Sequence, residues 1–95
     1  MEIRKEQLDN QVILYVEGRL DTSSAPRLEE EMKQVSLENK LIFDFGGLDY
    51  ISSAGLRVLL VTKKMFKDQF ILRNVKEEVK QILEITGFID MLTIE

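Results

Sequence analysis

The chain has 95 residues, 44% hydrophobic and 32% charged, a balance that excludes a disordered polymer and supports one hydrophobic core. Its net charge of −4, with Lys and Arg scattered among acids, lacks the basic stripe that nucleic-acid phosphates require, so no direct nucleic-acid contact is expected. With no cysteine and no histidine, disulfides, thiolate chemistry, zinc–sulfur sites and the commonest general base are removed.

No stretch approaches the roughly 20 apolar residues of a membrane-spanning helix. The opening Met1-Glu2-Ile3-Arg4-Lys5-Glu6 lacks the apolar core of a secretion signal. No membrane span and a cytoplasmic location are therefore expected.

In chain order, two strands are predicted at about 2–7 and 11–17, joined as a hairpin by the turn-forming pair Asp9-Asn10. The second, Val12-Ile13-Leu14-Tyr15-Val16, is apolar at every position, the pattern of a strand covered on both faces or central in its sheet. A helix follows over about 24–36. Thr22, Ser23 or Ser24 is able to cap it, Pro26 suits its first turn, and Glu29, Glu30 and Glu31 favour its positive end. Its apolar stripe is Ala25, Leu28, Met32 and Val35. Leu41–Phe45 is predicted as a short buried strand broken by Gly46-Gly47.

A second helix is predicted over about 54–66, and a further strand over 69–73. Asn74 is expected to cap a third helix with Glu77 reaching back to it, Val75, Val79, Ile82 and Leu83 forming the buried stripe and Gly87 ending it. The tail, 88–94, is expected to pack on the core as a short last strand. Strands separated by helices give an α/β domain with a largely parallel sheet, to which the opening hairpin adds an antiparallel strand. Asp21 and Ser53 both fall where a strand passes into a helix, the usual functional edge of such folds.

The run Ser52-Ser53-Ala54-Gly55-Leu56-Arg57-Val58-Leu59-Leu60 places hydroxyls at the start of the second helix. A phosphoryl group there is favoured by the helix dipole and by free backbone N–H groups, so such a position is a natural switch. The segment Leu41–Leu60 resembles the phosphorylation-site signature of anti-sigma factor antagonists, bacterial partner-switching proteins of the STAS domain family. Glu17-Gly18-Arg19-Leu20-Asp21 resembles the turn before the first helix in the same family.

The resemblance covers nearly the whole chain and implies a single STAS-like domain over residues 1–95. It implies a four- or five-stranded mixed sheet with helices mainly on one face. It also implies a phosphorylatable antagonist that binds an anti-sigma factor with serine kinase activity when unphosphorylated and releases it when phosphorylated, and a serine phosphatase that resets it. Any ATP and Mg²⁺ would belong to the kinase, and no cofactor of the chain itself is expected. The family acceptor lies two positions before the glycine, which is Ser53 here, with Ser52 the alternative. The family often has aspartate where this chain has Ser52.

Each candidate also has a plainer reading. One serine of the pair is expected to be the N-cap, and Ala54 and Gly55 fit a tight helix–sheet junction as well as a close approach by a kinase. Leu56 and Leu60, four apart, are candidates for partner docking or for the core. Asp21 reads as a turn-former or as a recognition residue. Asp44 and Asp49 are candidates for an acid–base or cation-binding pair. An enzyme is the least supported class, because the chain lacks a phosphate-cradling glycine loop and a convincing acid–base pair. The alternative function is a constitutive STAS adaptor, such as a subunit of a lipid-transport ATPase, whose serine is only a cap.

Overall fold

Side chains alternate across a strand, so Val12, Leu14 and Val16 point one way and Ile13 and Tyr15 the other. That alternation organises the molecule. In a computed structural model describing all residues, Met1–Glu95, β1 (Glu2–Leu8) and β2 (Gln11–Leu20) form the expected hairpin. They are followed by α1 (Ala25–Lys33), β3 (Lys40–Ile51), α2 (Ser53–Phe66), β4 (Phe70–Arg73), α3 (Glu77–Ile85) and β5 (Thr93–Ile94). The sheet runs β1-β2-β3-β4-β5, with β1 antiparallel to β2 and every other pairing parallel.

Val12, Leu14 and Val16 of β2 share one buried cluster with Leu41, Phe43 and Phe45 of β3 and Phe70 and Leu72 of β4. Leu28 and Met32 of α1, Leu56 and Leu59 of α2, and Val79 and Leu83 of α3 close over the same side. The helices thus cover one face, as the family resemblance implies. On the other, Ile13, Ile42 and Ile71 line up with Tyr15. Phe43 meets the edge of Phe70 at 4.9 Å between centroids, an aromatic geometry that adds about 0.5–1.5 kcal/mol to simple burial.

The third strand departs most from expectation. Gly46-Gly47 does not end it, and β3 continues to Ile51 because Leu48 and Ile51, 0% and 2% exposed, anchor the extension in the core. Against it, β2 also continues past Glu17 to Leu20, with register shifts between Tyr15 and Glu17 and between Gly18 and Arg19. Glycine has a packing role at this irregularity: a Cβ on Gly47 would lie 2.7 Å from Glu17 Cγ. Gly18, at φ +96°, takes a backbone conformation that other residues avoid. The glycines therefore accompany an irregularity in the pairing of β2 with β3 without ending either strand.

Two further expectations are corrected. α1 ends at Lys33, and Val35 is buried from the turn beyond it. Asn74 does not cap α3. It sits at φ +59° and its amide donates to Asp44 Oδ2 at 2.9 Å, while Lys76 occupies the N-cap position. Gly87, at φ +81°, follows the last helical turn as expected, and β5 pairs Thr93 and Ile94 with Ile71 and Leu72.

Asp44 and Asp49 do not share a site. Asp44 is 7% exposed and its Oδ2 accepts from Arg73 Nε at 3.1 Å, while its Oδ1 accepts the Gly46 N–H at 2.9 Å. Burial pulls the Arg73 guanidinium down, but the Asp44 hydrogen bond and charge outweigh it and leave its pKa raised. Asp49 instead accepts from Lys76 Nζ at 2.7 Å on the surface.

Asp44→Ala should therefore lower stability by about 2–3 kcal/mol, since it removes the buried carboxylate that ties Arg73, Asn74 and the Gly46 N–H together. A fall in Tm of roughly 10 °C or more follows for a domain of this size. Asp49→Ala should change stability by under about 1 kcal/mol, the worth of an exposed pair. Urea denaturation of the two variants beside the wild type checks the contrast.

Candidate functional site at the strand-to-helix edge

The carboxyl ends of β2 and β3 lie side by side, Leu20 opposite Ile51, so both strands hand over to helices at one edge of the sheet. Ser52 is the single residue between β3 and α2. Its N–H donates to the Leu20 carbonyl at 2.9 Å, which fastens this junction to the end of β2.

On the β2 side, the Asp21 carboxylate organises the entry into α1. Its Oδ1 accepts the Ser23 hydroxyl at 2.8 Å and the Ser23 and Ser24 N–H groups at 3.1 and 3.2 Å. The Ser24 hydroxyl accepts the Asp21 N–H at 2.9 Å and donates to the Arg19 carbonyl at 2.9 Å. The Ser23 hydroxyl first, and the Ser24 groups after it, hold the Asp21 carboxyl below its ordinary pKa. This geometry gives Asp21 a turn-forming part, with its Oδ1 occupied. Thr22 and Ser23 stay exposed beside it.

On the β3 side the serine pair divides its labour. Ser52 has extended backbone, φ −98° and ψ 177°, and its hydroxyl accepts the Gly55 N–H at 3.4 Å. It is the N-cap. Ser53 is the first residue of α2 and is exposed. A hydroxyl there can accept a phosphoryl group without loss of the cap, and the positive end of the helix favours the charge.

The residues that follow alternate between surface and core. Ala54 is half-buried, and Gly55 and Leu56 are buried. A Cβ on Gly55 would lie 2.7 Å from Ile51 Cγ1 and 2.8 Å from Leu20 Cγ, so glycine lets the first turn of α2 settle onto both strand ends. Leu56, 7% exposed, belongs to the core cluster. Of the two readings left open for Leu56, docking or core, the structure places its side chain in the core, and Gly55 has the tight helix–sheet packing that was one of its two readings. Leu60 is half-buried and remains at the surface.

Arg19, Tyr50, Glu29 and Arg57 take parts here that the sequence pattern did not assign to them. Arg19 lies 4.2 Å over the ring of Tyr50 and 4.0 Å from Asp21. Glu29 on α1 accepts from Lys33 at 2.8 Å and faces Arg57 of α2 at 3.9 Å. The Lys33 hydrogen bond, helped by the charges of Lys33 and Arg57, holds the Glu29 carboxyl below its usual range. Glu29 and Arg57 stand on opposite walls of a groove between α1 and α2 that also includes Ala25, Pro26, Ala54 and Val58. The four-residue spacing of Ser53 and Arg57 was the available signal.

A small α/β domain with a one-sided helical layer and an exposed hydroxyl at the junction of its central strand and second helix defines a narrow class. The chain belongs to the STAS domain family, whose model matches residues 2–95. It is 33% identical to BtrV of Bordetella bronchiseptica over 99% of this chain and 85% of that protein. It is 30% identical to the anti-sigma-B factor antagonist of Bacillus subtilis over 94% of this chain and 85% of that protein. Among solved structures it resembles the phosphorylated form of the Bacillus cell fate determinant SpoIIAA, with a TM-score of 0.73 and 15% identity over 99% of this chain and 91% of that one.

Gly55→Ala should destabilise the domain by about 1 kcal/mol, because crowding of about 1–3 kcal/mol exceeds the gain of up to about 1 kcal/mol from replacing a helical glycine. Leu56→Ala should cost about 2–5 kcal/mol as a core truncation. Denaturant midpoints test both; an unchanged midpoint for Leu56→Ala would return that side chain to the surface. The Asp21 carboxylate contributes stability above its unfolded pKa, and that contribution is lost as pH falls through its lower folded value. NMR titration should find Asp21 shifted toward its ordinary value in Ser23→Ala.

Proposed function

We propose that this protein is an anti-sigma factor antagonist that is switched by phosphorylation of Ser53. Unphosphorylated, it captures an anti-sigma factor that is also a serine kinase; phosphorylated, it lets go, and a serine phosphatase restores the binding form. The single observation that carries this reading is the division between the two serines: Ser52 makes the capping bond and Ser53 stands exposed at the helix start. The name of the Bacillus subtilis relative supports the antagonist role. The likeness to SpoIIAA in its phosphorylated form supports a fold that accepts the modification.

In this reading the chain is a cytoplasmic binding protein, not an enzyme, and the kinase brings its own ATP and Mg²⁺. The docking surface consists of the Asp21 turn, Ser52, Ser53, Ala54 and Leu60, with Gly55 keeping α2 low enough for a partner to reach the serine. A phosphoserine adds about 1.5–2 negative charges at neutral pH to a chain already at −4. At the helix start that charge is locally favoured, so the fold persists. At an interface whose partner holds nucleotide phosphates it meets repulsion and desolvation. Release asks little, since about 1.4 kcal/mol is tenfold in affinity.

Incubated with the cognate kinase and ATP, wild type and Ser52→Ala should gain one phosphate and Ser53→Ala none, as read by intact mass and peptide mapping. Ser52→Ala should lose about 1 kcal/mol of stability as a cap deletion, and Ser53→Ala much less. Equal phosphorylation of Ser53→Ala would sink the assignment. Ser53→Asp should bind the nucleotide-loaded partner at least severalfold more weakly with an unchanged circular dichroism spectrum, and Leu60→Glu should weaken it by about 1–3 kcal/mol. Undiminished binding by the authentic phosphoprotein would favour the constitutive adaptor.

A further inference from the structure

We propose that Arg57 is the intramolecular partner of phosphorylated Ser53: the guanidinium moves away from Glu29 on α1 and pairs with the phosphate on its own helix, α2. This rests on the reading of Ser53 as phosphoacceptor and adds to it a second, built-in consequence of the modification.

The geometry is that of a helix surface. Ser53 and Arg57 are both exposed and four residues apart on α2, so their side chains project from the same face one turn from each other. Between them Gly55 and Leu56 turn inward. The order is the favourable one, with the acidic group N-terminal to the basic group. A guanidinium also offers a planar fork that matches phosphate oxygens in pairs.

Arg57 is loosely held in the unphosphorylated protein. Its side chain is 73% exposed and its Nη1 is 3.9 Å from Glu29 Oε1. Glu29 does not depend on it, because Lys33 sits 2.8 Å from its other carboxylate oxygen. Departure of Arg57 therefore leaves an anion that is still paired. Arg19 is already engaged, 4.2 Å over Tyr50 and 4.0 Å from Asp21. Asp21, at the neighbouring turn, is an anion and repels a phosphate rather than binding it.

The exchange changes the groove between α1 and α2 as well as the serine. Phosphorylation adds negative charge at position 53, neutralises the guanidinium on the α2 wall and uncovers one side of Glu29 on the α1 wall. A partner that recognises the unmodified protein through Arg57 loses that cation in the same event that introduces the repelling anion.

The pairing itself is tested without the kinase, which enters only to separate it from the switch. A chain carrying phosphoserine at position 53, made by ligation or by direct incorporation, is titrated through the second phosphate ionisation and followed by ³¹P NMR. In wild type the apparent pKa should lie below that of Arg57→Gln by on the order of 0.15–0.4, the size expected for an exposed helical ion pair. Arg57→Lys should recover part of the difference, and Glu29→Gln, which releases Arg57, should lower the value further. A packing role for Arg57 would alter the denaturation midpoint but not the phosphate titration. Coincident titrations of wild type and Arg57→Gln would overturn the pairing. If the kinase still modifies Ser53 in that case, the switch stands and only this inference fails; if the kinase ignores Ser53, the switch fails whatever the phosphate titration shows.

Discussion

Everything at the candidate site depends on how closely α2 approaches the ends of β2 and β3. One backbone bond, Ser52 N–H to the Leu20 carbonyl at 2.9 Å, ties the junction of β3 and α2 to the strand that leads into the Asp21 turn. The missing side chain of Gly55 lets the helix come down onto Leu20 and Ile51, where a Cβ would overlap both. Ser53 is therefore presented by packed structure rather than by a loose loop. Its hydroxyl is available while its backbone is held, which is what the proposed recognition of one serine beside another would require.

Repetitive packing was readable in the sequence, and irregular packing was not. Ala25, Leu28 and Met32 of the first stripe and Val79 and Leu83 of the third fall in the core as their helical spacing requires, whereas Ile82 is only half-buried and Val75 lies before α3 begins; the apolar second strand is internal to the sheet. Gly46-Gly47 misled because a glycine pair signals a break only where nothing beyond it is anchored. Here Leu48 and Ile51 hold the extension, and a close neighbour explains glycine at Gly47. Asn74 misled for a related reason. A side chain suited to a helix cap was taken by a longer-range partner, Asp44, whose position beside Asn74 exists only once β3 and β4 are paired.

The site itself was readable in outline: a hydroxyl pair at a helix start, a small residue, a glycine. Assigning the cap to Ser52 needed backbone angles and a hydrogen bond. The packing parts of Gly55 and Leu56 needed the location of Leu20 and Ile51, more than thirty residues away in one case. Glu29 and Arg57 are too distant in sequence for local pattern to join them, and only the packing of α1 beside α2 brings them together.

Helical periodicity then explains how one short segment would serve stability and the proposed switch without conflict. Over α2, positions 55, 56, 59, 62 and 66 turn inward and are buried, whereas 53, 57 and 64 turn outward and are exposed. The inward set fixes where the helix lies, and Thr62 satisfies its buried hydroxyl on the Val58 carbonyl at 2.7 Å. The outward set carries the charge and the modifiable hydroxyl. A small domain is stable by only about 5–15 kcal/mol, so a switch that disturbed the inward set would risk unfolding it. A charge added to the outward set draws on exposed, screened interactions of about 0.2–0.5 kcal/mol each within the protein, yet meets a far larger penalty when a partner strips away its water. A phosphate at position 53 would thus be mild toward the fold and severe toward a complex, and that inequality, set by which side of the helix position 53 occupies, is what the proposed reversible release requires.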